Sequence, residues 1–293
     1  MPLYIPDNLP AIEILKQENI FVEDIHTQLS RTLKIALLNL MPLKIITETD
    51  FVRLFSHTPL PVEIDFIKIK SHQSRNTYPE HLNVFYKNFE DIRNKRYDGM
   101  IITGAPVELI DFEKVDYWNE LKEIFDWTSE HVGSSLYICW GAQAALYHFY
   151  GIPKYQLKKK MFGVFKHRIN EHGIQLFRGF DDEFYVPHSR HTEIKKEDIL
   201  KVPELKLLSE SDESGVYLVM AKGGREIFIT GHSEYASNTL ETEYFRDKNK
   251  GLPIEIPVNY YVDDTPEKGY VARWHAHAQL LFENWLNYYV KNP

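Results

Sequence analysis

The chain alternates short apolar runs with longer stretches in which apolar residues recur at helical spacing. Runs at residues 34–40, 99–103, 135–138 and 225–230 are nearly continuous, as expected of strands buried on both faces, and residues 62–69 alternate as a further strand. Helical spacing predicts helices over residues 47–55, 83–94, 117–131 and 142–150. Because strands and helices alternate over residues 33–150, we predict an α/β fold with a doubly wound, mostly parallel sheet.

The pattern changes after residue 150. Residues 151–222 are richer in charge and contain short strand-like pieces, of which 205–208 and 215–220 predict antiparallel strands. Residues 239–250 are predicted to be helical, 251–270 form a loop rich in Pro and Asp, and 276–290 form an amphipathic helix. We expect one domain over residues 1–293, with an N-terminal arm (1–30), an α/β core (33–250) and a C-terminal loop and helix (251–293).

Composition narrows the class of protein. The net charge is −8 with both signs dispersed, which argues against nucleic acid as the main partner. Only one cysteine is present, so neither an intramolecular disulfide nor a cysteine-based zinc site is possible. No apolar run approaches membrane-span length and the first residues lack a signal-peptide pattern. We expect a cytoplasmic protein that does not act on a membrane.

The single cysteine, Cys139, lies where the run at 135–138 passes into the helix at 142–150. A strand-to-helix turn holds a nucleophile clear of the sheet, and the N-terminus of the helix favours a thiolate. Gly141 removes a Cβ atom where such a turn is crowded. The alternative is that Cys139 is a small buried apolar residue, as most free cysteines are.

A candidate base follows the run at 225–230. His232 comes just after this strand, and Glu234 would reach the imidazole if residues 231–235 were extended. A nucleophilic cysteine needs a base, and the base needs a third group that orients its ring. The alternative is that both side chains are ordinary surface groups.

Other histidine pairs have spacings that a metal could use, at His188 and His191 and at His275 and His277. No cysteine or carboxylate cluster accompanies either pair, so we predict no metal site.

These residues and several further blocks resemble one family. The blocks are 39–42 (Asn-Leu-Met-Pro), 103–106 (Thr-Gly-Ala-Pro), 187–190 (Pro-His-Ser-Arg), 231–235 (Gly-His-Ser-Glu-Tyr), 243–247 (Glu-Tyr-Phe-Arg-Asp) and 284–289 (Asn-Trp-Leu-Asn-Tyr-Tyr). Together they resemble the homoserine O-acyltransferases of methionine biosynthesis, in the family often named homoserine O-succinyltransferase. That family shares the flavodoxin-like fold of class I glutamine amidotransferases. Ser233 is a departure, since the family has proline there.

The resemblance implies a reaction and roles for particular residues. Cys139 would take the acyl group from acyl-CoA, His232 would act as the base for L-homoserine, and Glu234 would orient His232. By resemblance, Lys44 and the backbone near Trp140 assist at the oxyanion, and substrate is bound by Lys160, Ser189 and Arg246. Acyl-CoA is a co-substrate, no cofactor is implied, and members are commonly homodimers.

The resemblance also implies which acyl group is transferred. Glutamate at the position of Glu108 goes with acetyl-CoA and glycine with succinyl-CoA, and Ser189 is associated with the same choice. A carboxylate facing the succinyl carboxylate would repel it, so we expect acetyl-CoA. The alternatives are succinyl-CoA as donor, a glutamine amidotransferase-type amidohydrolase with the same Cys-His-Glu chemistry, and a catalytically silent binding protein.

Overall fold

The computed structural model describes residues 32–72 and 76–291, so the predicted N-terminal arm lies outside the described residues. The described chain builds one ten-stranded sheet in the order β3-β2-β1-β4-β5-β10-β9-β8-β6-β7. Its first six strands pair in parallel, and the other four form an antiparallel extension. The predicted α/β class with a doubly wound, mostly parallel core is confirmed.

The parallel half follows the predicted alternation of strands and helices. Its strands are β1 (Leu33–Leu38), β2 (Val62–Lys68), β3 (Tyr86–Asn88), β4 (Tyr97–Ile102), β5 (Val132–Ile138) and β10 (Glu226–Ile229). Its helices are α1 (Lys44–Phe55), α2 (Pro79–Phe85), α3 (Phe89–Ile92), α4 (Trp118–His131) and α5 (Trp140–Tyr150). In such a sheet the carboxyl ends of the strands meet at one edge, where ligands bind.

The remaining elements complete the sheet and cover it. The antiparallel strands are β6 (Tyr155–Ile169), β7 (Glu183–Glu193), β8 (Lys206–Ser211) and β9 (Gly215–Ala221). The other helices are α6 (Lys196–Ile199), α7 (Thr239–Asn249) and α8 (His275–Trp285), which continues as a π-helix over Leu286–Val290. None of the helices in the described ranges is long and apolar enough to cross a membrane.

The central strands are apolar throughout because each face packs against a separate core. On β1, Ala36 and Leu38 belong to the core that also contains residues of α4 and α5. Ile35 and Leu37 alternate with them and join the second core, with residues of α1 and α8. Two-residue alternation between two covered faces accounts for the continuous apolar runs in the sequence.

Two features differ from the sequence prediction. The helix expected over residues 83–94 is interrupted by β3, where Tyr86 is buried and pairs with Phe66 of β2. The helical spacing seen in the sequence came from apolar residues that lie on two separate short helices, α2 and α3. The short pieces expected after residue 150 include two long strands, β6 and β7, which pair along most of their length. Local alternation is weak there because burial does not alternate regularly along β6, so pairing across the sheet decides its length.

Candidate active site

Cys139 occupies the turn between β5 and α5, as predicted. Its backbone has φ 51° and ψ −117°, a region that residues other than glycine rarely adopt. The conformation is fixed from both sides, because the Cys139 N–H donates to the Ile229 carbonyl (2.7 Å) and the Gln143 N–H donates to the Cys139 carbonyl (3.1 Å). Strained backbone of this kind is concentrated at functional sites, where it sets the direction of a side chain.

Two glycines allow this turn to pack tightly. A Cβ atom on Gly141 would lie 2.6 Å from the Thr103 carbonyl oxygen, so a side chain there would push α5 away from β4. A Cβ atom on Gly104 would lie 3.6 Å from Cys139 Sγ and 3.7 Å from His232 Cε1. The loop that follows β4 therefore passes directly beside Cys139 and His232.

His232 follows β10, and its Nδ1 lies 2.7 Å from Glu234 Oε1. Residues 231–235 are not extended as the prediction supposed. The Tyr235 N–H donates to the His232 carbonyl (3.2 Å), and this turn folds Glu234 back onto the ring. The Ser233 side chain shares a hydrogen bond with the Tyr217 hydroxyl (2.7 Å), which connects the turn to β9.

The three side chains form one buried unit. Cys139, His232 and Glu234 are each exposed by less than a tenth of their surface. Burial opposes protonation of His232, but the adjacent Cys139 and Glu234 side chains, each in hydrogen-bonding contact with the ring, raise the pKa of His232 well above its usual range. This arrangement favours an imidazolium that can return a proton to a leaving group. The Tyr235 ring stacks on the imidazole, with centroids 4.2 Å apart.

Lys44 lies at the first position of α1 rather than in a loop, and its side chain is buried. Its ammonium donates to the Asn39 carbonyl at the end of β1 (2.5 Å) and lies 5.7 Å from the Tyr86 ring centre. Burial lowers the pKa of Lys44 to about 8, while Glu48 acts in the opposite direction. A buried amine with this pKa can act as a cation or a proton donor near neutral pH.

Trp140 begins α5, so its backbone N–H belongs to the unpaired first turn of that helix. Its ring is fully buried, and its indole Nε1 is one of the few buried polar atoms of the described chain that has no hydrogen-bond partner. The helix start thus presents backbone N–H groups beside Cys139, where an oxyanion would form.

Glu108, in the loop after β4, points toward β7. Its Oε2 accepts hydrogen bonds from the His191 N–H (2.6 Å), the Thr192 N–H (3.2 Å) and the Thr192 hydroxyl (3.3 Å). The Lys154 ammonium donates to the Glu108 carbonyl (2.6 Å). The carboxylate is therefore held in a fixed position rather than directed into solvent.

Two of the predicted substrate-binding residues meet at a carboxylate that the sequence prediction missed. Glu243 of α7 accepts hydrogen bonds from Ser189 (2.5 Å), Lys160 (3.2 Å) and Tyr235 (3.2 Å). Because the Tyr235 ring also stacks on His232, this cluster adjoins the catalytic unit. Arg246, on the same helix, is half exposed and pairs with Asp247 through two hydrogen bonds of 2.7 and 3.0 Å.

The sequence prediction also missed a group of buried side chains close to His232. His188 Nε2 lies 3.1 Å from His167 Nε2, and Arg190 bonds to the carbonyls of Thr192 and Ser214. All are buried, and burial lowers the pKa of His188 well below its usual range and that of His167 to about 3, so both are neutral. His188 therefore belongs to a packed network. The sequence offers no local signal for this network, because the network forms only when strands that are distant in sequence pair with each other.

The sequence prediction also missed Asp50, a buried carboxylate on α1. Burial raises the pKa of Asp50 to about 6; Arg53, bonded to it at 2.9 Å, acts to lower it, and Glu234 raises it again. The Glu234 Oε2 atom has no hydrogen-bond partner among the described residues. The charge of Glu234 therefore acts on a second buried acid, Asp50.

The second histidine pair of the sequence analysis, His275 and His277, is engaged in separate contacts. His275 contacts the Ser237 hydroxyl (2.8 Å), and His277 lies 3.3 Å from Asp181. Within residues 32–72 and 76–291, no three His, Cys, Asp or Glu side chains are grouped to hold a metal ion.

Two clefts lie at opposite edges of the sheet. A cleft of about 790 Å³ lies where strands β1, β4 and β5 begin, and Lys34, Tyr97 and Val132 contribute to its lining. A cleft of about 460 Å³ lies where β1, β2 and β4 end, with Asn39, Lys44 and Pro106 in its lining. The second cleft lies at the edge of the sheet where the strands end, which is the edge that carries Cys139.

The sequence is similar to known proteins along nearly its whole length. The family model described as homoserine O-succinyltransferase matches residues 2–293. The chain is 68% identical to a homoserine O-acetyltransferase of Bacteroides fragilis, over 99% of this chain and 96% of that one. It is 57% identical to a homoserine O-acetyltransferase of Clostridium acetobutylicum, over 99% and 97%.

The fold is similar to that of solved structures with low sequence identity. A glutamine amidotransferase of Thermotoga maritima aligns with a TM-score of 0.57 and 12% identity, over 88% of this chain and 98% of that one. A glutamine amidotransferase of Methylobacillus flagellatus aligns with a TM-score of 0.54 and 11% identity, over 88% and 94%. These likenesses bear on the fold alone, and they confirm the predicted class I glutamine amidotransferase-like architecture. The match over nearly the whole sequence shows that the chain belongs to the homoserine O-succinyltransferase family.

Proposed function

We propose that this protein transfers an acetyl group from acetyl-CoA to the γ-hydroxyl of L-homoserine, giving O-acetyl-L-homoserine for methionine biosynthesis. The observation that carries the proposal is the buried Cys139–His232–Glu234 unit at the carboxyl edge of the sheet. It supplies a nucleophile, a base and an orienting carboxylate in a chain whose relatives are homoserine O-acetyltransferases.

In the first half-reaction, the Cys139 thiolate attacks the thioester carbonyl carbon of acetyl-CoA. The bond between that carbon and the CoA sulfur breaks, and the CoA thiolate takes a proton from His232. Glu234 stabilises the imidazolium, and the raised pKa of His232 suits it to hold this proton until the leaving group needs it. Backbone N–H groups near Trp140, with Lys44, stabilise the oxyanion of the tetrahedral intermediate.

In the second half-reaction, homoserine replaces CoA. His232, now neutral, takes the proton of the γ-hydroxyl, and the hydroxyl oxygen attacks the acetyl carbonyl carbon on Cys139. The bond to the Cys139 sulfur breaks, which restores the thiolate–imidazolium pair. One base therefore serves both transfers, and a difficult reaction is divided into two easier ones.

Homoserine carries an ammonium and a carboxylate, and the region around α7 offers both signs of charge. We assign Lys160, Ser189 and Arg246 to substrate binding, with the Arg246 guanidinium matching the two carboxylate oxygens. Asp247 accepts hydrogen bonds from Nε and Nη2 of Arg246 and so orients the guanidinium, while the Arg246 side chain stays 45% exposed.

The donor is assigned through Glu108. The family name refers to succinyl transfer, whereas the two relatives described above are named for acetyl transfer. Hydrogen bonds to His191 and Thr192 fix the Glu108 carboxylate, so it would repel the terminal carboxylate of a succinyl group. Ser189 is the second residue that we associate with this choice.

The proposal requires no metal and no redox cofactor, because a thioester is already activated for acyl transfer and acetyl-CoA is consumed as a co-substrate. We also infer a homodimer and a cytoplasmic location, on the family resemblance and the single unpaired cysteine. Neither nucleic acid nor membrane is part of the proposed activity.

The test is CoA release with L-homoserine, measured side by side with acetyl-CoA and succinyl-CoA, with product identified by mass. We expect O-acetylhomoserine and a strong preference for acetyl-CoA. A preference for succinyl-CoA would retain the mechanism and contradict the role of Glu108. Release from neither donor, with ammonia released from glutamine, would replace the proposal by an amidohydrolase activity.

A further inference from the structure

We infer that the cleft of about 460 Å³ at the ends of β1, β2 and β4 holds the body of coenzyme A, with Lys68 binding its phosphates. This inference rests on the proposed function, because it assigns a location to the donor of that reaction. It goes further by naming a recognition residue that lies outside the catalytic unit.

The loop after β4 passes beside the nucleophile and then lines the cleft. A Cβ atom on Gly104 would contact Cys139 Sγ at 3.6 Å, and Pro106 and Val107, two and three residues later, line the cleft. On the opposite side, Asn39 and Lys44 line it at the end of β1. A thioester carbonyl at Cys139 would therefore place the rest of its donor in this cleft.

The walls suit the pantetheine arm of coenzyme A, which is an extended and largely apolar chain. The lining is mostly apolar and includes Leu40, Met41, Ile69, Val107 and Val115. Several of these side chains are only partly buried, so a ligand that covers them removes apolar surface from water.

The charge of the cleft suits the phosphates, because three lysines (Lys44, Lys68 and Lys114) and one acidic residue (Asp116) line it. Lys68, at the last position of β2, lines the cleft and is only partly exposed. Among the described residues, its ammonium makes no hydrogen bond or ion pair, whereas Lys114, also in the lining, pairs with Asp111 at 2.7 Å. An unpaired, partly sheltered ammonium is suited to a diphosphate, which lysine binds as a point charge.

The charge on Lys68 also acts inward. Burial is the main cause of the lowered pKa of Lys44, and the charge on Lys68 lowers this pKa further. The two ammonium groups therefore repel each other. A phosphate bound at Lys68 would offset this repulsion and favour the protonated form of Lys44 when donor is present. Donor binding and the oxyanion site would then be linked through charge.

The experiment compares Lys68→Ala with two acetyl donors, acetyl-CoA and acetyl-pantetheine, of which the second lacks phosphates. Because one phosphate contact is lost, we expect the KM for acetyl-CoA to rise about tenfold, with kcat little changed. At pH 7, below the pKa of Lys44, the kcat/KM for acetyl-pantetheine should stay within about twofold of the native value. Lys44 is then protonated in both proteins, and neither protein contacts a phosphate in that reaction. Lys68→Glu should raise the KM for acetyl-CoA further.

Lys201→Ala is the matched control, since it removes an exposed lysine that pairs with Asp198 and does not line the cleft. An unchanged KM for acetyl-CoA in Lys68→Ala, or an equal loss with both donors, would overturn the inference. Failure of the proposed function would give a different result. The native protein would then release no CoA from acetyl-CoA, whether or not homoserine is present.

Discussion

The two halves of the sheet contribute different chemistry. The parallel half supplies Cys139, the crowded turn around Gly141 and the apolar cleft at the strand ends. The antiparallel extension and the helix α7 supply a charged cluster, in which Glu243 bonds to Lys160 and Ser189. We conclude that an acyl donor with a long apolar arm fits the first region, and that a small zwitterionic acceptor fits the second.

His232 lies at the junction of the two halves. It follows β10, which pairs in parallel with β5 and antiparallel with β9. Its N–H donates to the Pro187 carbonyl of β7 (2.8 Å), while its ring contacts Cys139. A base at this position can serve both half-reactions without moving between two sites. The comparison therefore predicts that variants in each half affect different half-reactions.

The largest effect is expected from Cys139→Ala, in the parallel half. It removes the nucleophile, so kcat should fall by a factor of about 10⁴ or more. Steady-state CoA release with acetyl-CoA and homoserine measures this. Because Cys139 is small and buried, thermal unfolding should show that the variant remains folded. Undiminished turnover in folded Cys139→Ala would contradict the covalent mechanism.

The next effect is expected from Arg246→Ala, on the opposite side of His232. The variant loses the charge pair, with its two hydrogen bonds, between the guanidinium and the homoserine carboxylate. This loss should lower kcat/KM for homoserine about 100-fold. The first half-reaction should persist, because Arg246 lies outside the donor cleft. Rapid mixing with acetyl-CoA alone should therefore still release CoA equal to the enzyme present.

Arg246→Lys is the matched control for that variant, because it keeps the charge and removes the planar fork. It should recover only part of the affinity for homoserine. If Arg246→Ala also abolished CoA release in the absence of homoserine, the claim that the two halves of the sheet serve different half-reactions would be contradicted.

A smaller effect is expected from Glu108→Gly, in the loop after β4 that is hydrogen-bonded to β7 of the other half. Removing the carboxylate removes its repulsion of succinyl-CoA, and the ratio of kcat/KM for succinyl-CoA to that for acetyl-CoA should rise about tenfold or more. Parallel assays with both donors measure this ratio.

Glu108→Gln separates charge from anchoring, since its amide oxygen can still accept hydrogen bonds from His191 and Thr192. If the charge decides donor choice, Glu108→Gln should shift the ratio in the same direction as Glu108→Gly. An unchanged ratio in both variants would place Glu108 outside the acyl site.

The smallest effect concerns pH. Because burial lowers the pKa of Lys44 to about 8, its ammonium is lost as the pH rises through that value. If the ammonium stabilises the oxyanion, kcat/KM for acetyl-CoA should fall above about pH 8, and Lys44→Arg should move this fall to higher pH. Identical alkaline limbs in the native enzyme and in the Lys44→Arg variant would assign the limb to another group.

The parallel half could be predicted from the sequence because its signals are local. Strands buried on both faces give continuous apolar runs, and the position of Cys139 directly after such a run is enough to indicate its turn. His232 and Glu234 follow a strand in the same way, although the turn that joins them was expected to be extended.

The antiparallel half could not be predicted to the same degree, because its contacts are distant in sequence. Glu243 binds Ser189, which lies 54 residues away, and the buried pair of His167 and His188 depends on the pairing of β6 with β7. Neither Glu243 nor His167 follows a recognisable run or turn. Lys160 and Ser189 themselves were assigned only by family resemblance.

The most direct test of the central claim is to mix the native protein with acetyl-CoA in the absence of homoserine, quench, and map the peptides by mass. We predict one acetyl group on the peptide that contains Cys139, released CoA equal to the enzyme present, and loss of the label when homoserine is added. CoA release that begins only when homoserine is present, with Cys139 unmodified, would contradict the two-step account and the division of labour between the two halves.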